Sequence, residues 1–170
     1  MRSTDETEET QNMEFLNTDF LENEEIKLTV ARLAEGDPVR NWVPAYHFYI
    51  EDRRGVRMGL CDLRIGYHEG LYYGGHIGYE VREEYRGHHY AAKACRLLFA
   101  LAREHGMGYL YITCSPDNWP SRKTCEYLGG QLLEIAELPE DNDMRVRDGE
   151  TEKCVYRFDL RAPELRGCME

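Results

Sequence analysis

The sequence has no long apolar run and no excess of basic residues, and these two absences exclude several classes of protein. No window approaches about 18 consecutive apolar residues, the length that spans a bilayer. The first ten residues, MRSTDETEET, lack the apolar core of a signal peptide. We therefore expect a cytoplasmic protein without a membrane partner.

Basic residues are outnumbered by acidic ones, 21 against 32, and the net charge is -11. Residues 1–25 contain nine acids and one base, Arg2, so most of the negative charge is local. The nearly neutral remainder has no basic stripe, which argues against sequence-independent nucleic-acid binding because that binding needs cations to neutralise phosphates. The charge balance favours cationic small molecules or proteins as partners.

The six cysteines form no C-x-x-C pair and have no histidine at zinc-binding spacing. We interpret them as reduced thiols: Cys61, Cys95, Cys114, Cys125, Cys154 and Cys168. Histidines 76, 88 and 89 do not indicate a metal site either, since adjacent histidines rarely converge on one ion without a third ligand. No metal is expected.

The composition, 42% hydrophobic and 31% charged, is typical of one globular domain. Residues 1–23 are acidic and predict a disordered leader, which leaves 24–170 as the domain. Alternation and helical periodicity then predict a mixed, mostly antiparallel central sheet of about seven strands with helices on its faces. The predicted strands are 26–32, 45–52, 56–65, 72–81, 109–114, 131–137 and 153–160, the predicted helices are 90–105 and 121–128, and 139–150 is a charged hairpin loop.

The most informative stretch is GYEVREEYRGHHYAAKA, residues 78–94. A strand enters a short polar loop that opens a helix, so backbone N–H groups and the positive end of the helix dipole converge. Such a point suits a phosphate or pyrophosphate. An ordinary strand-to-helix connection with a glycine cap explains the loop alone equally well.

The loop resembles the acetyl-coenzyme A binding motif of the GNAT superfamily of N-acetyltransferases, Arg/Gln-x-x-Gly-x-Gly/Ala, with Arg86 and Ala91 at its ends. The family's next strand and helix carry an Asn-x-x-Ser/Ala opening and a glycine eleven residues past the asparagine. Asn118, Ser121 and Gly129 stand at those offsets. The resemblance covers about residues 56–137 and implies the GNAT fold, here with a shortened N-terminal helical part.

The resemblance implies where acetyl-CoA binds. The backbone of the loop would hold the pyrophosphate, the Val81 N–H would polarise the thioester carbonyl, and Asn118 would hydrogen-bond the pantetheine arm. His89 replaces the family's central glycine, so the loop either holds a left-handed histidine or is reshaped. The cofactor-binding residues are then Val81, Arg86, Gly87, His88, His89, Tyr90, Ala91, Asn118, Ser121 and Lys123.

Three residues are candidates for proton transfer. Glu80 lies one residue before the proposed carbonyl-polarising N–H and is the leading base, with a structural ion pair to Arg64 as the alternative. His76 is farther from the reacting carbon and would need a water. Cys125 stands where many family members carry the tyrosine thought to protonate the leaving thiolate, or it is a small core residue of its helix.

These predictions give an enzyme that transfers an acetyl group from acetyl-CoA to a primary amine, of a small molecule or a protein N-terminus. The alternative function is a non-catalytic module that binds or senses acyl-CoA. The acceptor side is expected at residues 41–44 (NWVP) and their aromatic neighbours, and Trp42, Tyr46, Tyr72, Tyr73 and Tyr79 either line it or form a buried cluster. A homodimer is left open.

Overall fold

The computed structural model describes residues 13–162, which form two compact units. Within that range the first unit contains residues 13–68 and 77–107, and the second contains 69–76 and 108–162. The elements in chain order are β1 (Ile26–Ala34), β2 (Ala45–Asp52), β3 (Arg57–Arg64), α1 (Glu69–Gly74), β4 (Ile77–Val81), α2 (Tyr90–Glu104), β5 (Tyr109–Cys114), α3 (Trp119–Tyr127), β6 (Gln131–Glu137), α4 (Asp143–Asp148) and β7 (Glu152–Asp159).

The first unit is a four-stranded antiparallel sheet in the order β1-β2-β3-β4. Strict alternation in β2 buries Tyr46, Phe48 and Ile50 on one face. Helix α2 packs against β1, β3 and β4. Its buried residues recur at three- and four-residue spacing, as in Cys95, Leu98 and Ala102 of its apolar stripe.

The second unit is a three-stranded antiparallel sheet in the order β5-β7-β6, with α1 and α3 packed against β5. β5 and β7 bury Leu110, Ile112 and Phe158, whereas only Ala136 of β6 is buried. The seven antiparallel strands and the flanking helices confirm the predicted fold class. They form two hydrogen-bonded sheets, one of four strands and one of three, rather than a single central sheet.

Two local predictions are wrong. Residues 72–74 belong to helix α1 and not to a strand, and the predicted hairpin loop 139–150 contains helix α4, whose N-cap Asn142 accepts from the Met144 N–H. Leu21 is fully buried and its carbonyl accepts from the Leu28 N–H at 2.9 Å. Leu21 therefore already belongs to the buried core, whereas the predicted boundary at residue 24 stays a prediction; residues 1–12 lie outside the described residues.

The stretch between β1 and β2 agrees with the shortened helical part that was expected, because it contains one short 3-10 helix, Pro38–Arg40. No helix within residues 13–162 is both long enough and apolar enough to cross a membrane.

Residues 13–16 contact the sheet of the first unit, and this contact gives a paired deletion test. The Phe15 ring packs edge-on against Tyr46 at 4.9 Å between centroids, and the Leu16 N–H donates to the Tyr46 hydroxyl at 2.9 Å. We expect removal of residues 1–12 to leave the melting temperature unchanged. Removal of residues 1–16 is expected to lower the free energy of unfolding by about 1–3 kcal/mol, measured by urea denaturation. Equal stability of the two truncated proteins would contradict the prediction.

Candidate active site

The loop between β4 and α2 leaves a group of backbone donors at the start of the helix. The first hydrogen bond of the helical ladder runs from the Lys93 N–H to the His89 carbonyl, at 2.9 Å. The N–H groups of the first turn therefore have no intrahelical acceptor and point out of the helix end. Gly87 has φ +90°, and no heavy atom lies within 4 Å of the place where its Cβ would be. The loop thus offers both donors and open space to a phosphate group.

His89 adopts the left-handed conformation, with φ 61° and ψ 25°. This is the first of the two possibilities expected at the position of the family's glycine. His89 is therefore a strained residue of the loop, because a non-glycine residue in this region costs roughly 1–2 kcal/mol. The rings of His88 and Tyr90, on either side, are tilted by 39° with their centroids 5.5 Å apart.

The backbone N–H and C=O groups of Val81 point away from the neighbouring strand β3. The Arg82 N–H donates to the Met58 carbonyl of β3 at 2.8 Å. Hydrogen-bonded and non-hydrogen-bonded residue pairs alternate along antiparallel strands. The next pair, Gly59 and Val81, is therefore not hydrogen-bonded. The Val81 N–H and C=O face the outer edge of β4 as a result. The Val81 carbonyl accepts from Arg86 Nε at 2.9 Å. Arg86 therefore ties the loop to the strand, and the Val81 N–H remains directed at the edge.

Glu80 is exposed on β4 and shares a sheet face with Gly78. Among residues 13–162 it makes no ion pair. Arg64, its alternative partner, lies 3.2 Å from Asp62 Oδ1 instead. Glu80 is thus available for proton transfer, although its catalytic role stays a prediction.

Two polar residues that the sequence analysis did not select lie on the same face. Asp62 Oδ1 accepts from the Gly78 N–H at 3.1 Å, and His47 stands opposite Asp62 in the strand register. Arg32 Nη2 lies 3.2 Å from His47 Nε2. Because arginine only donates, this contact holds a neutral imidazole with its lone pair on Nε2. Partial burial also lowers the pKa of His47, which likewise favours the neutral imidazole.

The second unit contains the other predicted cofactor residues. Asn118 is the N-cap of α3, and its Oδ1 accepts from the Ser121 N–H at 3.3 Å. Ser121 is buried and hydrogen-bonds the Cys114 thiol of β5, whereas Lys123 is exposed on the helix. Gly129, with φ +84°, follows the helix end. The Asn-x-x-Ser pattern is therefore first of all a capping motif.

His76 is fully buried, and its Nδ1 accepts from the Tyr111 N–H at 3.0 Å. An Nδ1 that accepts carries no proton, so the neutral ring bears its hydrogen on Nε2. Accepting a further proton on Nδ1 would break the bond to Tyr111. This arrangement favours Glu80 over His76 as the base.

Cys125 is fully buried in α3. Full burial favours the alternative interpretation, in which Cys125 is a small core residue rather than the acid that protonates the departing thiolate. Its catalytic role stays a prediction.

A sequence model of the acetyltransferase (GNAT) domain family matches residues 6–131, about three quarters of the chain. The chain belongs to this family. The match includes the strand-to-helix loop, Val81 and the capped start of α3 described above. No curated protein matches the sequence closely enough to count as a relative.

Solved structures of acetyltransferases share the fold of this GNAT domain. The microcin C7 self-immunity acetyltransferase MccE, in complex with acetyl-CoA and AMP, is 20% identical, with a TM-score of 0.54 over 68% of this chain and 61% of that protein. An acetyltransferase of the GNAT family from Bacillus anthracis is 18% identical, with a TM-score of 0.54 over 68% and 67%. The ribosomal-protein-S5-alanine acetyltransferase from Vibrio fischeri is 18% identical, with a TM-score of 0.54 over 69% and 62%. The chain thus spans about two thirds or less of the length of these proteins.

The GNAT domain also has a cavity of about 600 Å³ within its first unit. Residues Asn41, Trp42, Val43 and Pro44, which were expected on the acceptor side, all line it. Tyr46, by contrast, is fully buried in the core, and Tyr72 and Tyr73 lie in an aromatic cluster with Tyr111 in the second unit. Of the predicted aromatic lining residues, Trp42 is the one that lines this cavity.

Within residues 13–162 of this GNAT domain, no group of three or more His, Cys, Asp or Glu side chains could hold a metal ion. The five cysteines of that range are buried free thiols, and Cys168 lies outside it. Burial raises the pKa of the Cys114 thiol to about 11 and raises that of Cys61 and Cys95 as well. These three thiols are therefore protonated near neutral pH.

Proposed function

We propose that the protein transfers an acetyl group from acetyl-CoA to a primary amine. The observation that carries the proposal is the placement of two sets of outward backbone donors in one unit, at the start of α2 and at Val81 on the edge of β4. Helix N-termini bind phosphate groups, and an N–H directed at a carbonyl oxygen stabilises the negative charge that develops there during acyl transfer. The loop of residues 82–89 connects the Val81 N–H to the donors at the start of α2.

The chain's residues divide the binding work. The N–H groups from Gly87 to Ala91 bind the pyrophosphate of coenzyme A, and Arg86 adds positive charge beside them. Asn118 and Lys123 belong to the second unit, and their part in cofactor binding stays a prediction. Acetyl-CoA itself contributes an acetyl group that is activated as a thioester.

Glu80 supplies the proton acceptor. An attacking amine has to be neutral, and a positioned base contributes roughly 10²–10⁴-fold to the rate. The Glu80 carboxylate is exposed, and its residue precedes the one whose N–H faces the edge. It therefore takes the ammonium proton close to the donor that polarises the carbonyl.

A non-catalytic acyl-CoA sensor would share the cofactor site, so binding measurements alone do not separate the two functions. Release of free coenzyme A thiol, measured with a panel of primary amines, does separate them. We expect at least one amine to accelerate thiol release above the rate without amine. Saturable binding of acetyl-CoA with no acceleration across the panel would support the sensor instead.

A further inference from the structure

The cavity of the first unit carries negative charge and no fixed positive charge on its walls. Glu14 and Glu35 line it, and none of its lining residues is a lysine or arginine. Its one histidine, His68, has its pKa lowered by burial and is neutral near pH 7. Within residues 13–162 neither glutamate forms an ion pair. No cation of the described residues therefore neutralises the two carboxylates.

Aromatic rings form much of the remaining wall. Phe15, Trp42 and Tyr67 line the cavity, and Trp42 is 59% exposed. The Trp42 ring already attracts a cation, because the guanidinium carbon of Arg40 lies 4.9 Å from its centroid. Arg40 is itself balanced by Asp37, at 3.6 Å. Aromatic faces combined with carboxylates are the surroundings in which organic cations bind.

The cavity lies at the far end of β4 from the cofactor loop. Its residues follow β1 and β3 and precede β2, which is the end of the sheet where β4 begins. Glu80 is three residues along β4 from Ile77, or about 10 Å at the usual rise of a strand. A linear molecule that leaves the cavity along β4 would therefore have to span at least this distance to reach Glu80.

We propose that this cavity binds the ammonium group of a small, linear, polycationic amine. Resting on the proposed function, that ligand is the acceptor: one amino group is held between Trp42 and the two glutamates, and another reaches Glu80 and is acetylated. A volume of about 600 Å³ is within the range of small-molecule sites. The cavity then determines acceptor specificity by charge and by the distance between the two amino groups.

The test is isothermal titration of the full chain in the absence of acetyl-CoA. Spermidine, a linear triamine, is the probe, and hexanediol is the neutral comparison. We expect spermidine to bind and hexanediol not to bind measurably. Trp42→Ala and Glu35→Gln should each weaken spermidine binding about threefold or more. Glu152→Gln, an exposed glutamate of β7 in the other unit, is the matched control and should leave the affinity unchanged.

Arg40→Ala is expected to strengthen spermidine binding, whereas Trp42→Ala and Glu35→Gln should weaken it. Arg40 is an exposed cation on the Trp42 ring, so its removal frees the ring face and should tighten spermidine binding about twofold or more. A site for an anion would respond in the opposite direction, and weaker spermidine binding by Arg40→Ala would overturn the proposal. Because the Arg40 side chain is 65% exposed, its removal leaves the core packing intact.

The proposal and the proposed function can fail separately. If amines accelerate thiol release but spermidine binds no better than hexanediol, the cavity assignment is overturned and acetyl transfer stands. If spermidine binds with the expected signs in all variants but no amine accelerates thiol release, the cation site is supported and the acetyl transfer is rejected.

Discussion

Replacing Glu80 by glutamine is expected to lower the turnover number for acetyl transfer by roughly tenfold or more near neutral pH. The amide keeps the size of the side chain but does not accept the ammonium proton. Glu80 is exposed and pairs with no cation in the described part of the chain, so the substitution removes no stabilising contact. The affinity for coenzyme A and the melting temperature should therefore stay close to those of the unmodified protein.

Glu83→Gln is the matched control, since Glu83 is an exposed glutamate of the following 3-10 turn. It should leave the turnover number within about twofold of the unmodified enzyme's, measured on the same accepted amine. Full activity of Glu80→Gln from neutral to mildly alkaline pH would remove Glu80 as the base. Proton transfer would then fall to water or to His47 and Asp62 on the same sheet face.

Gly87→Val is expected to abolish the stabilisation of the protein by coenzyme A. At a hundred times the dissociation constant, a ligand raises the free energy of unfolding by roughly 2.7 kcal/mol, which is measured as a rise in melting temperature. A valine at φ +90° is strained, and its branched side chain fills the open space beside the helix N–H groups. Both effects displace the donors that bind the pyrophosphate.

Gly55→Val is the control that separates the loss of stability caused by backbone strain from the loss of coenzyme A binding. Gly55 has φ +87°, and no heavy atom lies within 4 Å of its Cβ position, but it belongs to the turn between β2 and β3. We expect both variants to lose about 1–2 kcal/mol of stability without ligand. Only Gly87→Val should lose the coenzyme A shift. If its shift persists at full size, the loop is not the pyrophosphate site.

Three strands were predicted with correct ends, because glycine, proline or charged residues flank them. β2, β5 and β6 match their predicted ranges residue for residue. Helix α1 was missed because Tyr72 and Tyr73 favour a strand by intrinsic propensity, and a six-residue helix has no room for a period. Its packing against β5 decides the conformation, and that contact is far away in sequence.

In the candidate site, too, local sequence patterns could be predicted, whereas contacts between residues far apart in sequence could not. The strand-to-helix loop could be predicted because its donors come from consecutive residues. His47 and Asp62 are separated by fourteen intervening positions, and only the register of β2 on β3 brings them opposite each other. Residues 41–44 were expected on the acceptor side, which stays a prediction. Glu14, before β1, and Glu35, after β1, line the same cavity only because the chain folds.

The cap at the start of α3 limits what Asn118 can offer a ligand. Its oxygen is committed to the Ser121 N–H, so the polarity of the remaining amide is fixed and it presents hydrogen atoms outward. An acyl-pantetheine amide meeting it must present its carbonyl. Asn118→Asp would preserve the cap, since aspartate caps as well as asparagine and favours the positive helix end. The helix would remain folded while its N-cap side chain changed from a donor into an acceptor toward a ligand. Replacement of the amide nitrogen by oxygen thus separates the capping role of this side chain from its role in recognition.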